Sequence, residues 1–139
     1  MINYEIGNDF DAVFIESELE LFNNHSKRSP QDEEYKKFII VVKKNQQIIG
    51  GGIAYSSLYY IGYIDTLWVD EKFRNQSIGT KILSLLESKL REYGCELCHL
   101  DTFNFQAPVF YKKNGYEIFG ELHHKKQNIT EYFFKKDLC

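Results

Sequence analysis

The chain has 139 residues, 43% of them hydrophobic and 16% aromatic, with a formal net charge of -3. That length buries well over half of the unfolded surface without disulfide or metal staples, and that composition excludes a largely disordered segment. The mildly acidic balance argues against nucleic acid as the main partner, and no apolar run approaches the roughly eighteen residues of a membrane span, so a cytoplasmic protein with neither nucleic-acid nor membrane partners is expected.

The N-terminal "MINYEIGNDFD" lacks the basic stretch and apolar core of a signal peptide, and "MINYEIG" reads as a short first strand. "NDFDAVFIESELELFNNHSK" follows as a capped helix with Phe10, Val13, Phe14, Leu21 and Phe22 as its apolar residues. In "SPQDEEYKK", Pro30 in a first turn with acids behind it predicts a second, short helix. "FIIVVKKNQQIIGGGIAYSSLYYIGYIDTLWV" holds three β-branched and aromatic runs, divided at Lys44-Asn45-Gln46 and again between Ser56 and Gly62, which predicts consecutive antiparallel strands. Gly50, Gly51 and Gly52 inside the middle run suggest a bulge or a close backbone approach, the bulge being preferred.

From Ser77 onward Ile78, Ile82, Leu86, Leu90 and Tyr93 form a helical stripe that stops at Gly94. "ELCHLDTF" is then a buried strand, "QAPVFYKKNG" a short helix with Pro108 early and Gly115 after its end, and "YEIFGEL" and "ITEYFFKKDL" are closing strands. A helix between "YIDTLWV" and "ELCHLDTF" demands a parallel crossover if both share one sheet, so the sheet is mixed. The chain shows no linker and no repeat, and reads as one domain over residues 1–139. Cys95, Cys98 and Cys139 are an odd number for a disulfide framework, and "CELC" lacks the second close pair of a zinc site, so no metal is expected.

An anion bound after a strand end needs small residues, consecutive free N–H groups and the positive end of a helix dipole. "RNQSIGTK", Arg74 to Lys81, offers all three, with two side-chain cations. The order of parts, with "LWV", "RNQSIGT", a long amphipathic helix, a strand and then "NFQAPVFYKKNGYEIFG", resembles the GNAT superfamily, which moves acetyl from acetyl-CoA to amines. Arg74 matches the first position of that family's turn and Gly79 the last, while Ser77 stands where glycine is usual. The later "FYKKNGYE" matches a second family run with Tyr111 at its tyrosine.

The resemblance implies an α/β (α+β) fold with a mixed, mostly antiparallel sheet of about seven strands and about four helices, splayed between the fourth and fifth strands. It implies that the pantetheine arm of acetyl-CoA bonds the backbone around Leu67, Trp68 and Val69, and that the pyrophosphate rests on Arg74, Asn75, Gln76, Ser77, Ile78, Gly79 and Thr80. Asn104 stands where the family holds the pantetheine or the next helix; the other reading is a helix cap. If the turn puts Ser77 at positive φ, the conformation costs on the order of 1 kcal/mol relative to glycine.

Amide formation needs a neutral amine and a protonated departing thiolate. A phenol, with a reference pKa of about 10, can supply that proton, which makes Tyr111 the candidate general acid. Strand alternation puts Tyr63, Asp65, Leu67 and Val69 on one side, and Asp65 stands where several family members hold a base or a water. His25, His99, His123 and His124 are alternatives, the "HHKK" pair reading as a hairpin loop. Glu16, Glu18, Glu20, Asp32, Glu33 and Glu34 would either attract a cationic amine or form solvated helix faces. The expectation is an acetyl-CoA-dependent N-acetyltransferase acting on a primary amine of a small molecule, in a superfamily where homodimers are common; the alternative is a non-catalytic CoA-binding domain.

Overall fold

Asn8 opens the first helix with a reciprocal cap: its side chain accepts from the Asp11 amide at 3.0 Å, and the Asp11 carboxylate accepts from the Asn8 amide at 2.9 Å. Helix α1 then runs Asp9–Ser26. It belongs to the smaller of two units, Met1–Pro30 and Gln31–Cys139, in a computed structural model that describes residues 1–139. The strand expected over "MINYEIG" is absent, since Met1–Pro30 contains only the helix and irregular chain and offers no strand for it to pair with.

The larger unit is a six-stranded sheet in the order β1-β2-β3-β4-β6-β5. Its strands are β1 (Tyr35–Lys44), β2 (Gln47–Ser57), β3 (Ile61–Val69), β4 (Leu97–Phe103), β5 (Glu117–His124) and β6 (Ile129–Asp137). Helix α2 (Ile78–Tyr93) makes the crossover from β3 to the parallel β4, and α3 (Pro108–Lys113) precedes β5. The chain therefore has six strands and three α-helices where about seven and four were expected.

The missing helix is "SPQDEEYKK". Gln31 is buried there, and its amide donates to the carbonyls of Glu33 and Ser56 while its oxygen accepts from the Ser56 hydroxyl and the Tyr60 amide. With Glu34 O taken by the Leu58 amide, the carbonyls a helix would use are already engaged.

Asn45 and Gln46, at φ 52° and 68°, make the two-residue turn between β1 and β2. The bulge in that hairpin is at Ile49, opposite Val42 and Lys43, not in the glycines. Gly52 answers instead to close approach: a Cβ there would lie 2.8 Å from Leu86 Cδ1 and 3.1 Å from the Thr66 carbonyl. A second bulge decides the geometry of β3. Ile53 opposes Thr66 and Ala54 opposes Ile64, so Asp65 is the extra residue. Ile64 faces the core before the bulge, and Leu67 and Val69 pack against the core after it. The expected alternation is thus corrected: Tyr63 and Asp65 do not share a side with Leu67 and Val69.

The stripe of α2 buries Ile82, Leu83, Leu86 and Leu90 against Ala54, Ile64, Cys98, Leu100 and Phe134. The parallel ladder between β3 and β4 pairs only Ile61–Tyr63 with Leu97–His99, although β3 continues to Val69 and β4 to Phe103.

Candidate active site

Beyond that short ladder the chain lines an open cleft of about 770 Å³. One wall is the end of β3, Leu67 to Val69; the floor is the loop and helix start from Phe73 to Thr80; the far wall is Phe105, Gln106, Ala107, Phe110 and Lys113. Of the residues expected to hold the nucleotide, Leu67, Trp68, Val69, Arg74, Asn75, Ser77, Ile78, Gly79 and Thr80 line this one space, while Gln76 and Asn104 do not.

The floor has the features that anion sites use. Asn75 and Ser77 are both left-handed, at φ 63°. Ser77 caps α2 by position alone, since its side chain makes no hydrogen bond to the first turn, and no acidic residue stands there. The opening amides of α2 therefore keep the unmet donor capacity and positive dipole that bind phosphate groups. Gly79 lets α3 close on the helix start, for a Cβ would lie 3.3 Å from the Phe110 ring. The Arg74 Nε donates to the Val69 carbonyl at 3.2 Å, which ties the floor to the strand end.

Asn104 turns away. Its side chain accepts from the Thr130 amide at 3.3 Å and its own amide donates to Thr130 O, so it joins β4 to β6 and caps no helix. Gln106 faces the cavity instead, its oxygen taking the Phe103 amide at 2.8 Å. The quoted "NFQAPVFYKK" held the whole far wall, but the five residues that form it were not selected. Three of the five precede α3 and two lie on it, and nothing in their local pattern marks them as sharing one wall.

Tyr111 lies on the inner side of α3, 8% exposed, its ring 5.2 Å from Phe110, 5.8 Å from Tyr116 and 6.0 Å from Phe134. Burial pushes its phenol up to about 12, so the group stays protonated through the neutral range. It is not among the cavity-lining residues. Asp65 is exposed at the bulge and accepts from the Thr66 hydroxyl at 3.0 Å. Near it the Tyr63 hydroxyl donates to Asp101 at 2.6 Å and the Tyr63 ring lies 4.9 Å from His99, whose pKa burial lowers. His123 pairs with Thr130 and His124 ends β5. Cys95 and Cys98 are buried thiols, Cys98 pushed up to about 12 by burial, and no three His, Cys, Asp or Glu side chains gather as a metal site. No helix is long and apolar enough to cross a membrane.

Comparison with known proteins agrees with this geometry. The acetyltransferase (GNAT) family pattern matches residues 4–116. The chain belongs to that family. Blasticidin-S acetyltransferase of Streptomyces morookaense is 32% identical over 77 residues, and the match spans 55% of this chain and 57% of that protein, so the chain spans little more than half the length of this relative. An acetyltransferase from Bacillus cereus, known from its crystal structure, is 32% identical with a TM-score of 0.85, covering 98% of this chain and 97% of its own. An aminoglycoside 6'-N-acetyltransferase solved with coenzyme A shares the fold, with a TM-score of 0.66, at 17% identity over 78% of this chain and 75% of its own.

Proposed function

We propose that this GNAT chain is an acetyl-CoA-dependent N-acetyltransferase that acetylates a primary amine of a small molecule by direct attack. The observation that carries the reading is the cavity itself, where an uncapped helix start with two left-handed residues before it faces the part of β3 that lies beyond its last pair with β4. Acetyl-CoA supplies an activated acetyl thioester. The amides from Ser77 to Thr80 and the Arg74 side chain would hold its pyrophosphate, and the backbone of Leu67 to Val69, past the end of the β3–β4 ladder, would hold the pantetheine as an added strand does. Tyr111, protonated at working pH, would give its proton to the departing thiolate from α3. On the other face of β3, Asp65, with Tyr63 and Asp101 near it, suits an ammonium group, and Asp65 or a water it holds would take the proton that frees the amine for attack.

Streptothricin, blasticidin S and aminoglycosides, the compounds in the names of similar proteins, are cationic amines and form the first acceptor panel. The test is thermal melting with acetyl-CoA followed by thiol release across that panel. At one hundred times its dissociation constant a ligand of the native state adds about 2.7 kcal/mol, which is a shift of several degrees. No shift at millimolar acetyl-CoA overturns the cosubstrate. A shift with no thiol release on any amine favours a non-catalytic CoA-binding domain. With an acceptor in hand, Tyr111→Phe should lower kcat by about 10² to 10⁴ while leaving acetyl-CoA affinity near wild type.

A further inference from the structure

Glu87 is the one charged residue buried in the chain. It projects from α2 toward β6, where the Lys136 ammonium lies 3.0 and 3.1 Å from its two carboxylate oxygens. The same ammonium donates to the Asn114 carbonyl at 2.9 Å, and the Tyr116 hydroxyl donates to the Glu87 carboxylate at 2.7 Å. Asn114 is the residue that ends α3, and Tyr116 follows it, with its amide donating to Tyr111 O at 3.0 Å. Gly115 between them sits at φ 90°, with Lys136 Cε 3.4 Å from where its Cβ would be. The segment that closes α3 is thus fastened to α2 twice, once through Lys136 and once directly.

Such a pair is a poor choice for stability alone, because desolvating two charges offsets most of what their attraction returns, and apolar side chains of similar size would serve as well. What it supplies is direction. Helix α3 has six residues, too few to hold its own geometry in water. At the cavity it is met by Gly79 beside Phe110; its other end is held by the Glu87–Lys136 pair. Tyr111 lies between these two supports, and misplacing a reacting group by about 1 Å can cost 10²-fold in rate. We propose that the buried Glu87–Lys136 pair is a positioning unit that fixes the rotation of α3 and through it the placement of the Tyr111 hydroxyl for proton transfer. This rests on the acetyltransferase reading above, and the measurements separate the two.

The double substitution Glu87→Gln/Lys136→Met removes both charges, keeps an acceptor for Tyr116 and deletes the bond to Asn114 O. It should fold, melt within a few degrees of wild type, bind acetyl-CoA within about threefold and lose about 10- to 100-fold in kcat. In a Tyr111→Phe background the same double substitution should change kcat by less than about twofold, because its effect passes through a hydroxyl already gone. Deficits that multiply, or a wild-type kcat in the double variant, overturn the proposal. A measurement free of turnover keeps it testable if no acceptor is found. With tyrosines labelled at Cζ, the Tyr111 resonance should move in the double variant while that of Tyr63 stays, and an unmoved Tyr111 resonance overturns the positioning role whether or not the acetyltransferase reading survives.

Discussion

Ser77→Gly separates what the backbone of the anion loop requires from what the hydroxyl contributes. Ser77 sits at φ 63° and ψ 15°, and its side chain makes no cap hydrogen bond to α2. An L-residue pays roughly 1–2 kcal/mol for that conformation. Glycine removes the cost but adds about 0.4–1 kcal/mol of unfolded-state freedom. The difference leaves a net stabilisation between about zero and 1.5 kcal/mol, and for a chain of this size that raises the melting temperature by about 0–5 °C. Binding should follow the same logic, since deleting Cβ and Oγ clears the approach to the first amides of α2 and acetyl-CoA affinity should hold or improve. Melting curves of the free proteins test the first statement, and calorimetric titration with acetyl-CoA tests the second. A variant that melts lower than wild type refutes the strain argument. Tenfold weaker binding refutes the steric one and makes the hydroxyl a ligand of the pyrophosphate.

Arg74→Ala should weaken acetyl-CoA binding about tenfold or more, as loss of a charge-assisted hydrogen bond does, with little change in melting temperature because Arg74 is exposed; equal affinity by titration removes it from the cradle. Gly52→Ala forces a Cβ to 2.8 Å from Leu86 Cδ1 and 3.1 Å from a carbonyl that cannot yield, so denaturant unfolding should report a loss of about 1–3 kcal/mol, and wild-type stability would mean that α2 lifts freely. The buried thiol of Cys98 and the phenol of Tyr111, both pushed up to about 12 by burial, keep their protons when the unfolded chain releases them at reference values of 9.0 and 10.0. Each raised group adds stability that is complete below its unfolded pKa and lost as pH climbs toward its folded one. Melting temperature should therefore hold up to about pH 9 and fall between about 9 and 12, and a flat alkaline limb would show that these groups are not sealed from water.

What was legible in the sequence was whatever a single element encodes in its own residues. The stripe from Ile82 to Leu90 specified a helix and its buried face, Gly94 ended it, and Asn45-Gln46 marked a turn that needed two positive φ angles. The turn that starts α2 at the cavity was legible because its residues are consecutive along the chain. The rest depended on partners that no local pattern names. The β3 bulge arises from the register against β2, and it turns Leu67 and Val69 to the opposite side from the one alternation assigns. Gln31, read as part of a helical turn, spends its amide on carbonyls of its own segment and on Ser56, twenty-five positions away. Glu87 resembles any polar residue of an amphipathic helix until Lys136, forty-nine positions later, is folded against it.

Four departures from local rules fall in one stretch of chain, residues 63 to 78. Asp65 bulges, the β3–β4 ladder ends at Tyr63, Asn75 and Ser77 are left-handed, and α2 starts without a side-chain cap. Each feature costs stability by itself: a bulge breaks a ladder, an unpaired strand edge leaves donors and acceptors unmet, and a serine at positive φ is strained. Other departures, the bulges at Ile49 and Phe119 and the left-handed Leu58 and Tyr60, lie in hairpins, and none of these residues lines the cavity. Sequences keep local conflicts where a site needs them. Here each conflict yields a group a phosphorylated thioester carrier can use. On the proposed reading the broken ladder would offer strand amides and carbonyls to a linear amide-bearing arm, and the left-handed turn with its uncapped helix would offer amides to a diphosphate. A ligand that satisfies both must restore part of the stability those conflicts remove, so binding and folding of this region are one coupled equilibrium, and residues 65 to 80 are where hydrogen-exchange protection should rise most when acetyl-CoA is added.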